Sequence, residues 1–252
     1  MEASSHRSPQ CTPLKPFLGK EPTTNGEQIS AELKVLSRFC ASLDGCGLSV
    51  PNDSLEFRRL FSQYFPSSSF FDDLQSGMRM WLLNELFPVA GLAQHSGLPT
   101  RLLDWTRSPL KAAYFAAANA AQRCAEAGAH VIDESYALAV WAFHPKSDIR
   151  SLVSIIQVPR ADNPNLHAQD GVFTIVRPLT VEMAEPVDRR PLDDFLSSPH
   201  FILPESFVHV TLPLTESGRL LSHIAIEGVN GGVLFPGFSG AAMAVREQLL
   251  WT

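Results

Sequence analysis

The chain has 252 residues and a net charge of −6; hydrophobic residues make up 45% of it and charged residues 18%. This much apolar material can form a large core, which argues against an intrinsically disordered chain. The acidic balance gives no overall electrostatic footprint for nucleic acid or an anionic membrane, so we expect neither as a partner, although a local basic cleft stays open. The length suits one large domain, or one domain with a helical preface.

The cysteines and the amino terminus bear on metal content and localisation. Cys11, Cys40, Cys46 and Cys124 form no Cys-x-x-Cys pair and no zinc-ligand spacing. We therefore expect no metal site, and reduced thiols as in a cytoplasmic protein. The first ten residues lack the apolar centre of a signal peptide. No apolar run approaches the ~20 residues that a membrane span requires.

Residues 1–27 are rich in Ser, Pro and Thr, which predicts an extended entry segment. Residues 28–252 are expected to form a single domain. Apolar residues at helical spacing predict several helices in the first half of this domain. These are a helix from Gln28 that ends before Gly45, one over Leu55–Tyr64, a long one over Phe70–Leu86, and one over Val89–His95 that begins after Pro88.

Ser108 and Pro109 predict a helix start, because Ser is a good N-cap and Pro at the first helical position loses no hydrogen bond. Alanine dominates through Ala121, which favours this helix strongly. The sequence then alternates between strand-like runs and short helices. The predicted strands are Tyr136–Phe143, Val172–Val176, Phe207–Leu212 and Val233–Phe235, and the predicted helices are Leu192–Leu196, Thr215–Ile226 and Ser239–Leu249. Helices first and strands later indicate an α+β fold, with a helical amino-terminal half packed on a mainly antiparallel sheet.

The string from Gln94 to Thr106 places His, Arg, Asp, Trp and Thr in a predicted loop between two apolar helices. Functional groups collect on loops held by rigid elements, so this loop is the candidate site. Arg101 and Asp104 are three residues apart and form either a structural clamp or a ligand contact. The nearby helix start favours the clamp for Asp104, whereas the preceding Pro-Thr turn favours ligand contact for Arg101.

Other side chains of this loop also have two interpretations. His95 is either a core or capping histidine or a catalytic one, and Trp105 either fills the core or walls a pocket. Thr106 and Ser108 are expected to cap the next helix whatever else they do. Neither a Gly-x-Ser-x-Gly elbow nor a dinucleotide-binding glycine fingerprint occurs, which disfavours a serine hydrolase and a Rossmann-type domain.

The string continues through Ser108-Pro109 into Ala113-Tyr114-Phe115-Ala116. Together these residues resemble the core motif of the FRG domain, a bacterial module, which reads Q-H-x-G-L-P-T-R-L-L-D-W-T-x-S-P-x-x-A-x-Y-F-A. Gln169–Thr174 is similar to the family's later Q-x-G-x-F segment, and Leu234–Gly240 to its L-F-P-x-x-x-G segment. The Phe-Arg-Gly triplet that gives the family its name is absent from the matching place near Ala3–His6.

The Phe-Arg-Gly triplet of the family and the motifs that follow it come in the same order as the corresponding elements of ADP-ribosyltransferase folds, which bind NAD. The resemblance thus implies an NAD-binding, ADP-ribosyltransferase-like protein or NAD glycohydrolase, used in toxin or phage-defence systems. Gln169, His95 and Glu205 would act in catalysis, and Gln169 would orient groups because an amide does not ionise. The residues that would bind NAD are Arg101, Asp104, Trp105, Thr106 and Ser108.

The alternative is a noncatalytic module that binds a nucleotide or a partner protein through the same loop. The absent triplet predicts weak or no transferase activity, because its Arg would make a charge-assisted contact to a diphosphate. We also expect Gln94–Ser108 and Gln169–Phe173 to meet in space, since both are dense in polar groups that need partners.

Overall fold

The computed structural model describes Leu14 and residues 19–63, 67–127, 136–144, 153–160, 163–196 and 207–251. The fold is α+β, as the order of the sequence patterns predicts. The described helices are α1 (Asn25–Gly45), α2 (Leu55–Gln63), α3 (Ser68–Gln75), α4 (Phe87–His95), α5 (Pro109–Ala127), α6 (Pro164–Ala168), α7 (Leu192–Leu196), α8 (Ser217–Ile226), α9 (Gly231–Leu234) and α10 (Phe238–Gln248), with 3-10 turns at Asn84–Leu86 and Leu214–Glu216. The described strands are β1 (Leu103–Thr106), β2 (Ala137–Phe143), β3 (Val153–Ile156), β4 (Gly171–Val176) and β5 (Phe207–Pro213).

The strands form two antiparallel sheets in the described part of the chain. One has the order β1-β4-β3, and the other is the pair β2-β5. Strand β4 is central in the first sheet, and its residues 172–176 are all buried. This continuous burial explains why β4 is apolar without alternation, since both of its faces are covered. Leu103 lies opposite Thr174, and Val153 opposite Val176.

The amino-terminal helices cover one face of this sheet. Their apolar residues form the largest core cluster, in which Leu33, Phe70 and Leu86 join Phe173 and Ile175 of β4. Burying a side chain of this size contributes about 1.5–3 kcal/mol. The predicted packing of a helical half on an antiparallel sheet is therefore confirmed. No helix of the described residues is long and apolar enough to cross a membrane.

The single long helix predicted over residues 70–86 is wrong. Helix α3 ends at Gln75, because Gly77 adopts a left-handed φ of 76° and the chain turns there. Leu74, Leu82 and Leu86 are still buried, but Met78 is 73% exposed. These three leucines, which are spaced as on one helix face, thus reach the core from separate short segments. The apolar spacing therefore predicts the burial of these three leucines correctly, but it predicts the continuity of the helix incorrectly.

Other element boundaries also differ from the prediction. Helix α1 begins at Asn25, inside the segment expected to be extended, and Thr24 accepts a hydrogen bond from the amide of Glu27 as its N-cap. The predicted strand Val233–Phe235 is wrong: these residues belong mainly to α9, where Asn230 caps the amide of Val233. The short elements β1, β3 and α6 lack a clear sequence signal.

The carboxy-terminal helices form a second apolar layer around α5. Tyr114, Ala117 and Ala121 of α5 pack with Leu221 and Ile224 of α8. Alanine leaves room for close helix approach, as the composition of α5 predicts. The helix also begins as predicted, because the Ser108 hydroxyl accepts a hydrogen bond from the amide of Lys111 at 3.4 Å.

Candidate functional site

Antiparallel pairing of β1 with β4 brings the first two motifs together. Asp104 lies opposite Phe173, and Thr106 opposite Gly171. The pairing continues past the strand, where the amide of Arg107 donates to the carbonyl of Asp170 at 3.2 Å. The predicted meeting of Gln94–Ser108 with Gln169–Phe173 is therefore confirmed. The loop predicted around Asp104 is in fact partly a strand.

Gln94 organises the loop between α4 and β1. Its Oε1 accepts from both the amide and the hydroxyl of Thr100, at 3.2 and 3.0 Å. Its Nε2 donates to Oδ2 of Asp104 at 2.6 Å. The Thr100 hydroxyl in turn accepts from the amide of Leu102 at 3.2 Å. One amide side chain thus fixes both ends of the loop, a role that the sequence pattern did not reveal.

Arg101 does not pair with Asp104. Its guanidinium instead binds Glu32 of α1 in a bidentate manner, with Nε to Oε2 at 2.8 Å and Nη2 to Oε1 at 3.1 Å. Glu32 also accepts from Trp81 Nε1 at 2.6 Å and from Gln28 Nε2 at 2.7 Å. Arg101 and Glu32 are 9% and 5% exposed. The predicted clamp between Arg101 and Asp104 is wrong, because a carboxylate 69 residues away takes the guanidinium.

Three residues expected to bind NAD hold the fold together in this structure. Trp105 Nε1 donates to the Thr174 hydroxyl at 2.8 Å, and its ring centre lies 5.8 Å from that of Phe143. The Thr106 hydroxyl donates to the carbonyl of Gln169 at 2.7 Å and accepts from the amide of Ser108 at 3.1 Å. These contacts join β1, β4 and the start of α5.

Gln169 connects the second motif to the third. Its Nε2 donates to the carbonyl of Leu234 at 3.2 Å. Leu234 begins the Leu-Phe-Pro-Gly segment and is fully buried. All three motifs therefore converge around the α6–β4 turn. Glu205, the other predicted catalytic residue besides His95, lies outside the described residues.

His95, Asp104 and Asn165 lie at the surface where α4, β1 and α6 meet. His95 Nε2 is 3.0 Å from Nδ2 of Asn165. Burial lowers the pKa of His95 below its ordinary 6.5, and the nearby Asp104 carboxylate opposes this shift. The imidazole is therefore neutral at pH 7 and can accept a proton.

Lys111 and Arg160 surround Asp170 in the turn before β4. Lys111 Nζ is 3.2 Å from Oδ2 of Asp170, and Arg160 Nη1 is 3.3 Å from its Oδ1. Asp170 has a left-handed φ of 52°. The hydrogen bond from Lys111, with help from Arg160, holds the pKa of Asp170 below its ordinary 3.8. Two cations and one carboxylate leave one net positive charge, which sequence reasoning missed because Arg160 belongs to no motif.

We call the six residues of these two neighbouring groups the polar edge: His95, Asp104, Asn165, Lys111, Arg160 and Asp170. The main chain connects the two groups: the amide of Gln169, the residue before Asp170, donates to the carbonyl of Asn165 at 2.8 Å. No group of three metal-ligating side chains suited to a metal ion occurs in the part of the chain that the structure describes. The polar edge contains two cations, two carboxylates, one amide and a neutral imidazole.

Comparison with protein families matches residues 37–124 to the FRG domain. Comparison with curated proteins gives no match, and neither does comparison with solved structures. The matched segment runs from α1 into α5 and contains the whole Gln-His to Tyr-Phe-Ala motif. The two later motifs lie beyond it. Residues 37–124 of this chain are therefore similar to the FRG domain.

Proposed function

We propose that the polar edge binds NAD, and that the chain is an ADP-ribosyltransferase-like domain of a toxin or phage-defence system. The observation that carries the proposal is the β1–β4 pairing, which places Asp104 opposite Phe173 and the end of β1 opposite the turn where Asp170 binds Lys111 and Arg160. A dinucleotide needs both kinds of group: cations for its diphosphate, and hydrogen-bond acceptors for its ribose hydroxyls.

Lys111 and Arg160 are assigned to the diphosphate. Asp170 holds both cations in fixed positions, which lowers the entropy cost of ordering them around a ligand. Arg160 presents a planar fork suited to phosphate oxygens, and it also donates from Nη2 to the carbonyl of Gly171 at 3.3 Å. These cations take the place that the family resemblance gives to the Arg of the absent triplet.

Asp104 and His95 are assigned to the reacting ribose. The acceptor oxygen bonds to the ribose C1′ carbon while the bond from C1′ to the nicotinamide nitrogen breaks, and its electron pair stays with nicotinamide. His95 takes the proton of the acceptor, which its lowered pKa allows at neutral pH. The Asp104 carboxylate stabilises the positive charge that develops on the ribose. Gln169 keeps only an orienting role, because its amide already binds Leu234.

Calorimetric titration and thermal shift with NAD, ADP-ribose and ATP test the binding. A ligand at ~100 times its dissociation constant adds about 2.7 kcal/mol to the free energy of unfolding. The double substitution Lys111→Met with Arg160→Met should weaken NAD binding strongly. Arg219→Met is the matched control, since this arginine is exposed on α8. No stabilisation by any of the three ligands would overturn the proposal.

Catalysis is tested separately by release of nicotinamide. His95→Asn should abolish release without weakening NAD binding, because Asn retains polarity near Asn165 but does not accept the proton. Expression in bacteria should slow growth, and His95→Asn should relieve the effect. We expect slow turnover by the wild-type chain, as the missing Phe-Arg-Gly triplet predicts.

A noncatalytic binding module is the second candidate. One observation favours it: Gln94, Arg101, Trp105, Thr106 and Gln169 all use their polar groups on other parts of the chain. A motif built in this way maintains a surface without performing chemistry. Saturable binding of NAD or ADP-ribose, with no nicotinamide released over long incubation, would support this candidate over the transferase.

A further inference from the structure

A cleft beside Arg101 shares none of its lining residues with the polar edge. Its cavity volume is about 220 Å³. Residues from the start of α1, from the loop before β1 and from the segment after β4 line it: Asn25, Ile29, Arg101, Pro178, Thr180, Val181, Glu182 and Glu185. This volume is below the ~300–1,000 Å³ of pockets for drug-sized ligands, so it limits an occupant to a small molecule.

The guanidinium of Arg101 provides hydrogen-bond donors at this cleft. The Arg101 side chain is 8% exposed, and Glu32 takes only its Nε and one Nη2 hydrogen. Among the described residues, no acceptor is bound to its Nη1. Nη1 is also not among the buried polar atoms that lack a partner, so it keeps some accessible surface, and Arg101 lines the cleft. A buried donor of this kind selects a ligand that offers an oxygen acceptor.

The walls and the mouth define the rest of the ligand. Ile29, Pro178 and Val181 provide apolar surface, while Glu182 and Glu185 are exposed carboxylates. A simple anion would meet repulsion from these two carboxylates, and a simple amine would leave the Arg101 hydrogens without an acceptor. The amides of Asn25 and Gly26 are not available, because each donates at 3.0 Å to a carbonyl of the 183–185 segment.

We infer that this cleft binds a small zwitterion, an α-amino acid with an apolar side chain. Its carboxylate accepts from the Arg101 hydrogens, its ammonium group lies between Glu182 and Glu185, and its side chain packs on Ile29, Pro178 and Val181. The site uses none of the polar-edge residues. It would bind its ligand whether or not the chain binds NAD.

L-leucine is the probe, and calorimetry together with tryptophan fluorescence is the assay. Trp81 donates to the same Glu32 carboxylate as Arg101, so occupancy should change its emission, and this change should be lost in Trp81→Phe. Two half-probes complete the set: 4-methylpentanoate lacks the ammonium group, and 3-methylbutylamine lacks the carboxylate. Each should bind at least about tenfold more weakly than L-leucine, the effect of losing one charge-assisted interaction.

Three variants localise the binding without disturbing the buried ion pair. Thr180→Trp fills the cleft from an exposed position and should abolish L-leucine binding, and Glu182→Gln with Glu185→Gln should weaken it about tenfold or more. Glu227→Gln is the control, an exposed carboxylate at the end of α8. Absence of heat with L-leucine, or equal binding of 3-methylbutylamine, would overturn the inference. Loss of NAD binding in Thr180→Trp would also overturn the inference, because it would assign the cleft to NAD. Loss of NAD binding only in the Lys111 and Arg160 double variant would leave the amino-acid site supported.

Discussion

Substitution of Glu32 is expected to destabilise the protein more than any surface change. Glu32→Met leaves the Arg101 charge buried without compensation, and removal of one partner of such a pair costs about 3–5 kcal/mol. The same change removes the acceptor of Trp81 Nε1 and Gln28 Nε2, and each orphaned donor adds about 1–3 kcal/mol. We therefore expect a loss of about 5 kcal/mol or more, which is comparable to the whole stability of a marginal domain.

A double-mutant cycle in urea unfolding measures this coupling. Arg101→Met alone should also be severe, whereas Glu32→Met with Arg101→Met should cost much less than the two changes added, with a coupling energy of at least about 2 kcal/mol. The parallel cycle of Arg101 with Asp104 should give a coupling near zero, because those side chains have different partners. An exposed ion pair, Arg58 with Asp44, serves as the control and should show a much smaller effect. The reasoning fails if Glu32→Met unfolds at the wild-type midpoint, or if the first cycle shows no coupling.

Two further predictions concern the carboxy-terminal layer. Tyr114→Phe should cost about 1–3 kcal/mol in urea unfolding, because the buried Glu247 carboxylate loses the Tyr114 hydroxyl and keeps the amide of Gly231. Burial, and secondly the Glu247 carboxylate, raise the pKa of Tyr114 above its ordinary 10.0. The wild type should therefore lose stability as the pH rises past 10.0, and Tyr114→Phe should lose less stability over the same range. Gly240→Ala should prevent stable folding, since the new Cβ would lie 1.7 Å from the carbonyl oxygen of Phe235. Gly45→Ala is the control: its Cβ would meet no tertiary neighbour within 4 Å, so the melting temperature should stay equal or rise. A soluble Gly240→Ala protein with wild-type melting would contradict the close packing.

The start of α5 and the bounds of α7 could be predicted from neighbouring residues in the sequence alone. A Ser-Pro pair before an alanine-rich run specifies a helix start through capping chemistry that involves only neighbouring residues. The pairing of β1 with β4 could be predicted for a different reason. Polar groups next to apolar elements need partners, and the two motifs were the segments where such groups concentrate.

The partner of Arg101 could not be predicted in the same way. Glu32 is 69 residues away in α1, and its carboxylate lies among apolar neighbours such as Ile29 and Leu33. A charged residue on an apolar helix face is a weak signal by itself, because a long side chain on the helix edge usually reaches solvent. The informative detail was Gln28, which lies on the same face four residues earlier and donates to Glu32. Two polar residues on the buried face indicate a partner from elsewhere in the fold.

The residues of the first motif fall into two groups, according to whether their side chains bind within the fold or are exposed. Gln94, Arg101, Trp105 and Thr106 bind other parts of the chain, so their substitution should change stability and ligand binding together. His95 and Asp104 are exposed; His95 Nε2 lies 3.0 Å from Nδ2 of Asn165 in α6, and Asp104 accepts from Gln94. The proposed function therefore assigns its chemistry to His95 and Asp104, whereas Arg101, Trp105 and Thr106 are more deeply embedded.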